Sequence, residues 1–344
     1  MNNILHCLAM TTPITLPLWT VLVILLFAAV TFASHFLFPS VRWFFRRRAE
    51  RVVARINTRL ERPIEPFKLA QRNDMIQRLI YHPDVMEAVT QYAQEDGIPE
   101  EVAFEKARSY AKEIVPSFSA TGYFIMASKV AKLISQAFYR VRMGTDHATL
   151  ADIGSDRTVV FVMNHRSNMD YVLVTYLASQ RSALSYAVGE WARVWPLSRF
   201  IRAMGAYFIR RKSRGILYRR VLARYVQMAT EGGVTQAIFP EGGLSLTGDL
   251  APPKVGLLAY VIGAYTPGAR DVVFVPVAVN YDRVLEDHVL IAAGERGDRR
   301  FGAKISVVFK QMFKHLWLRI TGKYHKFGYA AASFGTPLSL ADRH

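Results

Sequence analysis

The chain has 344 residues, 51% hydrophobic and 12% aromatic, which excludes a disordered or low-complexity protein and leaves room for about two domains. Lys and Arg number 44 against 27 Asp and Glu, a net charge of +17, so an anionic partner is expected: nucleic acid, anionic lipid or a phosphorylated substrate. The single cysteine, Cys7, excludes an intramolecular disulfide framework and a cysteine-based zinc site.

In chain order, Leu16 to Phe38 carries no Lys, Arg, Asp or Glu and exceeds the roughly 20 residues needed to cross a hydrocarbon core, so an N-terminal transmembrane helix is expected. No Lys or Arg precedes it, and "VRWFFRRRAER" follows, which by the positive-inside rule places everything after Arg42 in the cytoplasm. A cleaved signal peptide would instead start basic, carry a shorter apolar run and end at small residues. From Arg42 to about Met143 the pattern is helical and no strand is expected. A break falls at "RPIEPF" and a helix start at "DGIPEEV", where Pro99 fits the first turn and Glu100 and Glu101 suit the positive helix end. The last helical stretch, Thr121 to Met143, spaces Phe124, Val130, Leu133, Ile134 and Phe138 at helical intervals, with Lys129, Lys132, Arg140 and Arg142 between them. Such a helix packs on a neighbouring domain or lies on a membrane surface.

After Ala151 short β-rich runs alternate with helical ones. "TVVFVM" precedes a helix from Met169, "ALSYAV" a helix from Glu190, "AYFI" a helix from Gly215, and "TQAIF" a helix near Val255; then comes "DVVFVPVAV". This alternation predicts an α/β fold with a mostly parallel sheet flanked by helices. The tail from about Lys304 is expected to hold a basic amphipathic helix and an edge strand, "YAAASFG". The expected organisation is an anchor over 1–41, a helical region over 42–150 and an α/β domain over 151–344.

Three polar clusters each follow a predicted strand: "NHRSNMD", "RRKSRG" and "PEGGLSLTG". In a parallel sheet all three emerge at the carboxyl edge, where such folds bind ligands. His165 lies in the first turn, Ser167 or Asn168 can cap the following helix, and Asp170 falls near its first turn. An aspartate there can accept the Nδ1 proton of the imidazole and leave Nε2 free as a base. That pair suits removal of a proton from a hydroxyl that attacks an activated carbonyl. Arg210, Arg211, Lys212 and Arg214 could hold a phosphate or simply form a solvated basic face. Gly242 and Gly243 permit a tight turn, with Glu241 at the same edge.

Taken in order, these segments resemble the glycerolipid acyltransferase superfamily, in particular its bacterial glycerol-3-phosphate acyltransferase branch, and are also similar to 1-acylglycerol-3-phosphate acyltransferases. "NHRSNMDY" resembles the family's first block, "GAYFIRR" the second, "FPEGGLSLTG" the third and "VFVPVAVNY" the fourth. The resemblance implies transfer of a fatty acyl group from acyl-CoA or acyl-carrier protein, as co-substrate, to a glycerol-based hydroxyl at a membrane, with no metal and no further cofactor. It implies His165 as general base and Asp170 as the residue that holds its tautomer. Arg210, Arg211, Glu241, Gly242, Gly243 and Ser245 would help bind the substrates, and Lys254 is a further phosphate candidate. The implied setting is the cytoplasmic face of a bacterial inner membrane.

One departure bears on the acceptor. Leu244 stands where the third block commonly has arginine, and Leu246 and Asp249 replace basic positions. A leucine cannot bind phosphate, so either Arg210, Arg211 or Lys254 holds the acceptor's phosphate or the acceptor has none. Lysophosphatidate acylation and a non-catalytic lipid- or acyl-CoA-binding protein are the alternatives. Nucleic-acid binding has only the net charge behind it, with no recognisable module.

Overall fold

The computed structural model describes residues 17–60, 62–120, 122–144, 153–178, 182–189, 193, 195, 197–210, 215–295, 317–318, 321 and 327–343. The chain divides into two compact units, Met1–Ala54 and Arg55–His344.

Most of the first unit is helix α1 (Leu18–Asn57). Leu18, Trp19, Leu22, Leu25, Leu26 and Phe27 are all exposed, so the first turns of the helix are apolar around their circumference and not amphipathic. Among the described residues no helix is long and apolar enough to cross a membrane, so the span expected over Leu16 to Phe38 is not found there. Leu16 and the side chains of residues 34–42 lie outside the described residues, and the part that is described stops short of the roughly 20 residues a crossing needs.

The second unit opens with α2 (Pro66–Leu69), α3 (Arg72–Ile80), α4 (Pro83–Asp96) and α5 (Glu100–Ile114). Local chemistry sets their ends. Pro83 opens α4, the His82 ring accepts from the Asp84 amide, and Gly97 at φ 63° stops the helix in a left-handed turn. Along α5, Ala103, Ala107 and Ala111 recur every four residues and are buried, which lets neighbouring helices approach closely. A π-helical turn (Gly122–Ala127) then leads into α6 (Ser128–Phe138).

The rest alternates strand and helix: β1 (Arg140–Gly144), β2 (Thr158–Met163), α7 (Met169–Ala178), β3 (Ser185–Gly189), α8 (Leu197–Ala203), β4 (Tyr207–Ile209) and α9 (Ile216–Glu231). There follow β5 (Gln236–Ile238), α10 (Gly256–Ile262), β6 (Val272–Tyr281), α11 (Asp287–Glu295), β7 (Tyr329–Phe334) and β8 (Leu338–Ser339). The sheet order is β1-β7-β6-β2-β5-β3-β4, with β8 on β6. Strands β2 to β6 are mutually parallel, whereas β7 and β8 run antiparallel to β6. The fold is thus α/β with a mostly parallel sheet.

Period-two alternation builds a core on each face. Val159, Phe161 and Met163 of β2 join Val273, Val275 and Val277 of β6 and Leu173 of α7 on one side. Val160, Ile238 and Val272 pack on the other with Ile80, Val85, Ala107 and Val221, so α3, α4, α5 and α9 cover that face. Burial on both faces explains why the central strands are nearly continuous runs of apolar residues.

Two expectations need correction. The helix expected to run to Met143 ends at Phe138, and Arg140–Gly144 is strand β1, which pairs in parallel with β7. Its exposed Arg140, Arg142 and Met143 gave no apolar alternation to read; the partner strand nearly 190 residues later supplies the reason for extended backbone. Conversely, "YAAASFG" is no edge strand: β7 is paired on both sides, by β1 and β6, and Ala330 and Ala332 are fully buried. The expected tail helix from Lys304 and the start at Glu190 fall largely outside the described residues, and the described helix after β3 is Leu197–Ala203.

Candidate active site

The loop between β2 and α7 carries the first polar cluster, at the carboxyl end of the strand that lies between β5 and β6. Ser167 caps α7: its hydroxyl accepts from the Met169 amide at 3.0 Å. This cap places Asp170 in the first helical turn, where its carboxylate reaches back over the loop. Asp170 Oδ2 lies 2.9 Å from His165 Nδ1 and also accepts the amides of Arg166 at 2.7 Å and Ser167 at 3.0 Å. Both side chains are buried, His165 with 2% and Asp170 with 0% of its surface exposed. Two backbone amides at a helix start grip the Asp170 carboxylate, which is placed to accept Nδ1–H and so to leave Nε2 as the imidazole's acceptor nitrogen.

Aromatic rings surround the imidazole. Phe239 lies 4.5 Å away between ring centroids and Tyr171 5.2 Å away, and Tyr171 stacks in turn on Tyr186. The Tyr171 hydroxyl is 3.4 Å from His165 Nε2. Such a wall excludes water from the base and strengthens the interaction between Asp170 and a protonated imidazole.

The third block closes on the first because β5 and β2 are neighbours. Glu241 is buried, accepting the His165 amide on Oε1 at 2.9 Å and the Ala251 amide on Oε2 at 3.2 Å. It thereby braces the two loops. The Ser245 amide donates to the His165 carbonyl at 3.0 Å, while its hydroxyl ties Asp249 and Gly248 within the loop. Gly242 sits at φ 65°, and a Cβ there would stand 3.0 Å from Lys254 Cδ and 3.1 Å from Nζ. The glycine turn therefore makes room for the Lys254 stem, and Lys254 stays exposed. Gly243, next to it, is half-buried, and Leu246 packs toward Gly294 of α11.

The second block comes out at the same edge but farther off. Strand β4 is three ladder spacings from β2, about 14 Å across the sheet. Arg210 is there engaged by Glu113 of α5, with Nε at 3.0 Å from Oε1 and Nη2 at 2.6 Å from Oε2, and its guanidinium lies 5.1 Å over Tyr110. The Glu113 contact holds the Arg210 guanidinium above its usual range. Arg193 pairs with Glu113 as well, at 2.9 Å. Arg211, Lys212 and Arg214 lie outside the described residues.

The structure also brings in groups that the sequence reading passed over. Tyr281, last residue of β6, donates to Asp170 Oδ1 at 2.7 Å. Glu286 accepts the Ser167 hydroxyl at 2.7 Å and the Asn168 amide at 3.2 Å, and burial pushes its carboxyl up. Asn164 exchanges two side-chain bonds with the backbone of Val279, pinning the first block to β6. Tyr171 and Tyr281 each sit inside a recognised block, so a signal existed; Glu286 and Glu113 are isolated acids whose importance follows from packing alone.

Residues 145–280 match the family described as Acyltransferase. Over 277 residues the chain is 30% identical to the glycerol-3-phosphate acyltransferase of Aeromonas hydrophila, covering 79% of this chain and 33% of that protein. It is 28% identical over 303 residues to that of Xanthomonas campestris, covering 86% of this chain and 33% of that one. The chain thus spans about a third of the length of the curated relatives it matches. A solved structure, the 1-acyl-sn-glycerophosphate acyltransferase of Thermotoga maritima, is similar at 19% identity and a TM-score of 0.39, covering 63% of this chain and 68% of that one. The similarity to glycerol-3-phosphate acyltransferases extends over most of the chain, and the match to the Acyltransferase family covers residues 145–280.

Proposed function

We propose that the protein is a membrane-bound O-acyltransferase that moves a fatty acyl group from acyl-CoA or acyl-carrier protein to a hydroxyl of glycerol-3-phosphate or a closely related glycerolipid acceptor. The observation that carries this reading is the buried His165–Asp170 pair, 2.9 Å apart at the carboxyl edge of the sheet. His165 Nε2 takes the proton of the acceptor hydroxyl as its oxygen bonds to the thioester carbonyl carbon. The tetrahedral intermediate collapses with cleavage of the C–S bond, and the imidazolium returns the proton to the departing thiolate. Asp170 holds Nδ1–H throughout and stabilises the imidazolium. The reaction so written needs no metal and no cofactor beyond the acyl donor.

For the acceptor's phosphate, Lys254 is the favoured anchor, because it stands at the Gly242 turn beside the first block while Arg210 is already engaged by Glu113. Glu241, Gly243 and Ser245 act in this reading by shaping the loop around the acceptor. Membrane attachment is assigned to the first helix, whose exposed apolar girth gives way to Arg47, Arg48 and Arg51. The Arg47 guanidinium lies 4.5 Å over the Trp43 ring, a pairing suited to the headgroup layer, with the acyltransferase domain on the cytoplasmic side.

The test offers labelled acyl-CoA and acyl-carrier protein to the detergent-solubilised chain with glycerol-3-phosphate, lysophosphatidate and a monoacylglycerol in parallel. Product from a phosphorylated acceptor, reduced at least ~10³-fold in His165→Ala, is the expected outcome. Undiminished activity in His165→Ala refutes the mechanism, and acyl-CoA binding without product from any acceptor favours a non-catalytic binding protein.

A further inference from the structure

Asp170 Oδ2 is saturated by His165 and two amides, whereas Oδ1 is held by the Tyr281 hydroxyl at 2.7 Å. Tyr281 arrives from β6, next to β2 in the sheet, and its ring packs 5.1 Å from that of Tyr139. Burial first, and the neighbouring Asp170 charge second, push its phenol well above the usual range, so it is a proton donor at every pH of practical interest.

We propose that Tyr281 is a positioning residue for acyl transfer: by donating to Asp170 Oδ1 it locks the carboxylate rotamer that holds His165 and limits how strongly Asp170 attracts the imidazolium. This rests on the reading of His165 as the base. An aspartate carboxylate turns through a broad torsional well unless both oxygens are engaged, and a buried anionic oxygen stripped of its donor is costly. With Tyr281 in place, the carboxylate is fixed from two strands, β2 through the loop and β6 through the phenol. Charge on Asp170 drawn toward Oδ1 is charge not presented to His165. The other titratable groups around the dyad have other tasks. Glu241 holds the His165 amide, Tyr171 faces Nε2, Glu286 holds Ser167, Tyr139 donates to the Arg283 carbonyl, and Lys254 lies at the Gly242 turn.

Tyr281→Phe in the full chain removes one oxygen and keeps the ring. Expected are a kcat lowered ~10–100-fold, as for other groups that orient a reacting side chain, and KM values for donor and acceptor within about twofold of wild type. The acid limb of the kcat–pH profile moves up by about one unit, because an Asp170 relieved of its donor holds the imidazolium more firmly. Tyr139→Phe, which also deletes a hydrogen-bonding hydroxyl, serves as control and leaves the acid limb in place. A readout independent of turnover is the His165 Nδ1 proton resonance in protein labelled with 15N-histidine, assigned by its absence in His165→Asn. It is sharp in wild type and shifted or broadened in Tyr281→Phe. An unmoved resonance and acid limb, even with lower Tm, overturn the proposal. If wild type transfers acyl groups to no acceptor, the base reading fails, and the resonance comparison still decides whether Tyr281 fixes the dyad.

Discussion

His165 and Asp170 meet because a five-residue turn ending in a capped helix returns the Asp170 carboxylate over the loop, and buried acids then hold that turn. Glu286 is one of them. Burial raises its carboxyl, and the bonds from Ser167 and Asn168 offset this in part. A raised acid favours the protonated form in the folded protein, so its contribution is complete below the ordinary carboxyl range and is lost as pH rises through the raised value. Glu286→Gln removes that dependence. The gap in Tm between Glu286→Gln and wild type should therefore move in the variant's favour by roughly 2 °C between pH 4 and pH 8. A gap independent of pH, followed by thermal unfolding at both values, contradicts the assignment.

At the scale of elements, the third-block loop carries the question of the acceptor. Leu244 and Leu246 leave it without a basic side chain at those two positions, yet the Gly242 turn brings Lys254 alongside. Lys254→Ala is expected to raise the KM for a phosphorylated acceptor about 10–100-fold with kcat within a few-fold, the pattern of a lost ground-state contact to a charged group. Unchanged KM across the acceptor panel would remove Lys254 from phosphate binding. By the same reasoning Arg210 has its principal partner in Glu113 on α5, so the second block joins the helical region to the sheet. This was not legible beforehand: "GAYFIRR" states what residues follow β4, but not that β4 lies three strands from β2.

For the whole molecule, the net charge of +17 and the apolar first helix together predict two kinds of membrane attachment. Deleting residues 1–54, one compact unit, should leave a protein that binds vesicles only when they contain anionic lipid. That binding should weaken steeply between 50 and about 300 mM salt, whereas the full chain sediments with vesicles at either salt concentration. Equal, salt-resistant binding of both forms would show that attachment does not depend on the first helix.

The sequence by itself determined much of this protein. Apolar runs at strand length, Gly and Pro at the turns, and four ordered blocks sufficed for an α/β fold, a mostly parallel sheet, an acyltransferase resemblance and the pairing of His165 with Asp170, because each is carried by short local patterns and their order along the chain. Only the tertiary structure decided the rest. Strand order set which blocks are adjacent, a strand nearly 190 residues away made Arg140–Gly144 a strand, and packing delivered Tyr281 to Asp170, Glu286 to Ser167 and Glu113 to Arg210. These are contacts between segments far apart in the chain, and local pattern carries no record of which distant surfaces will meet.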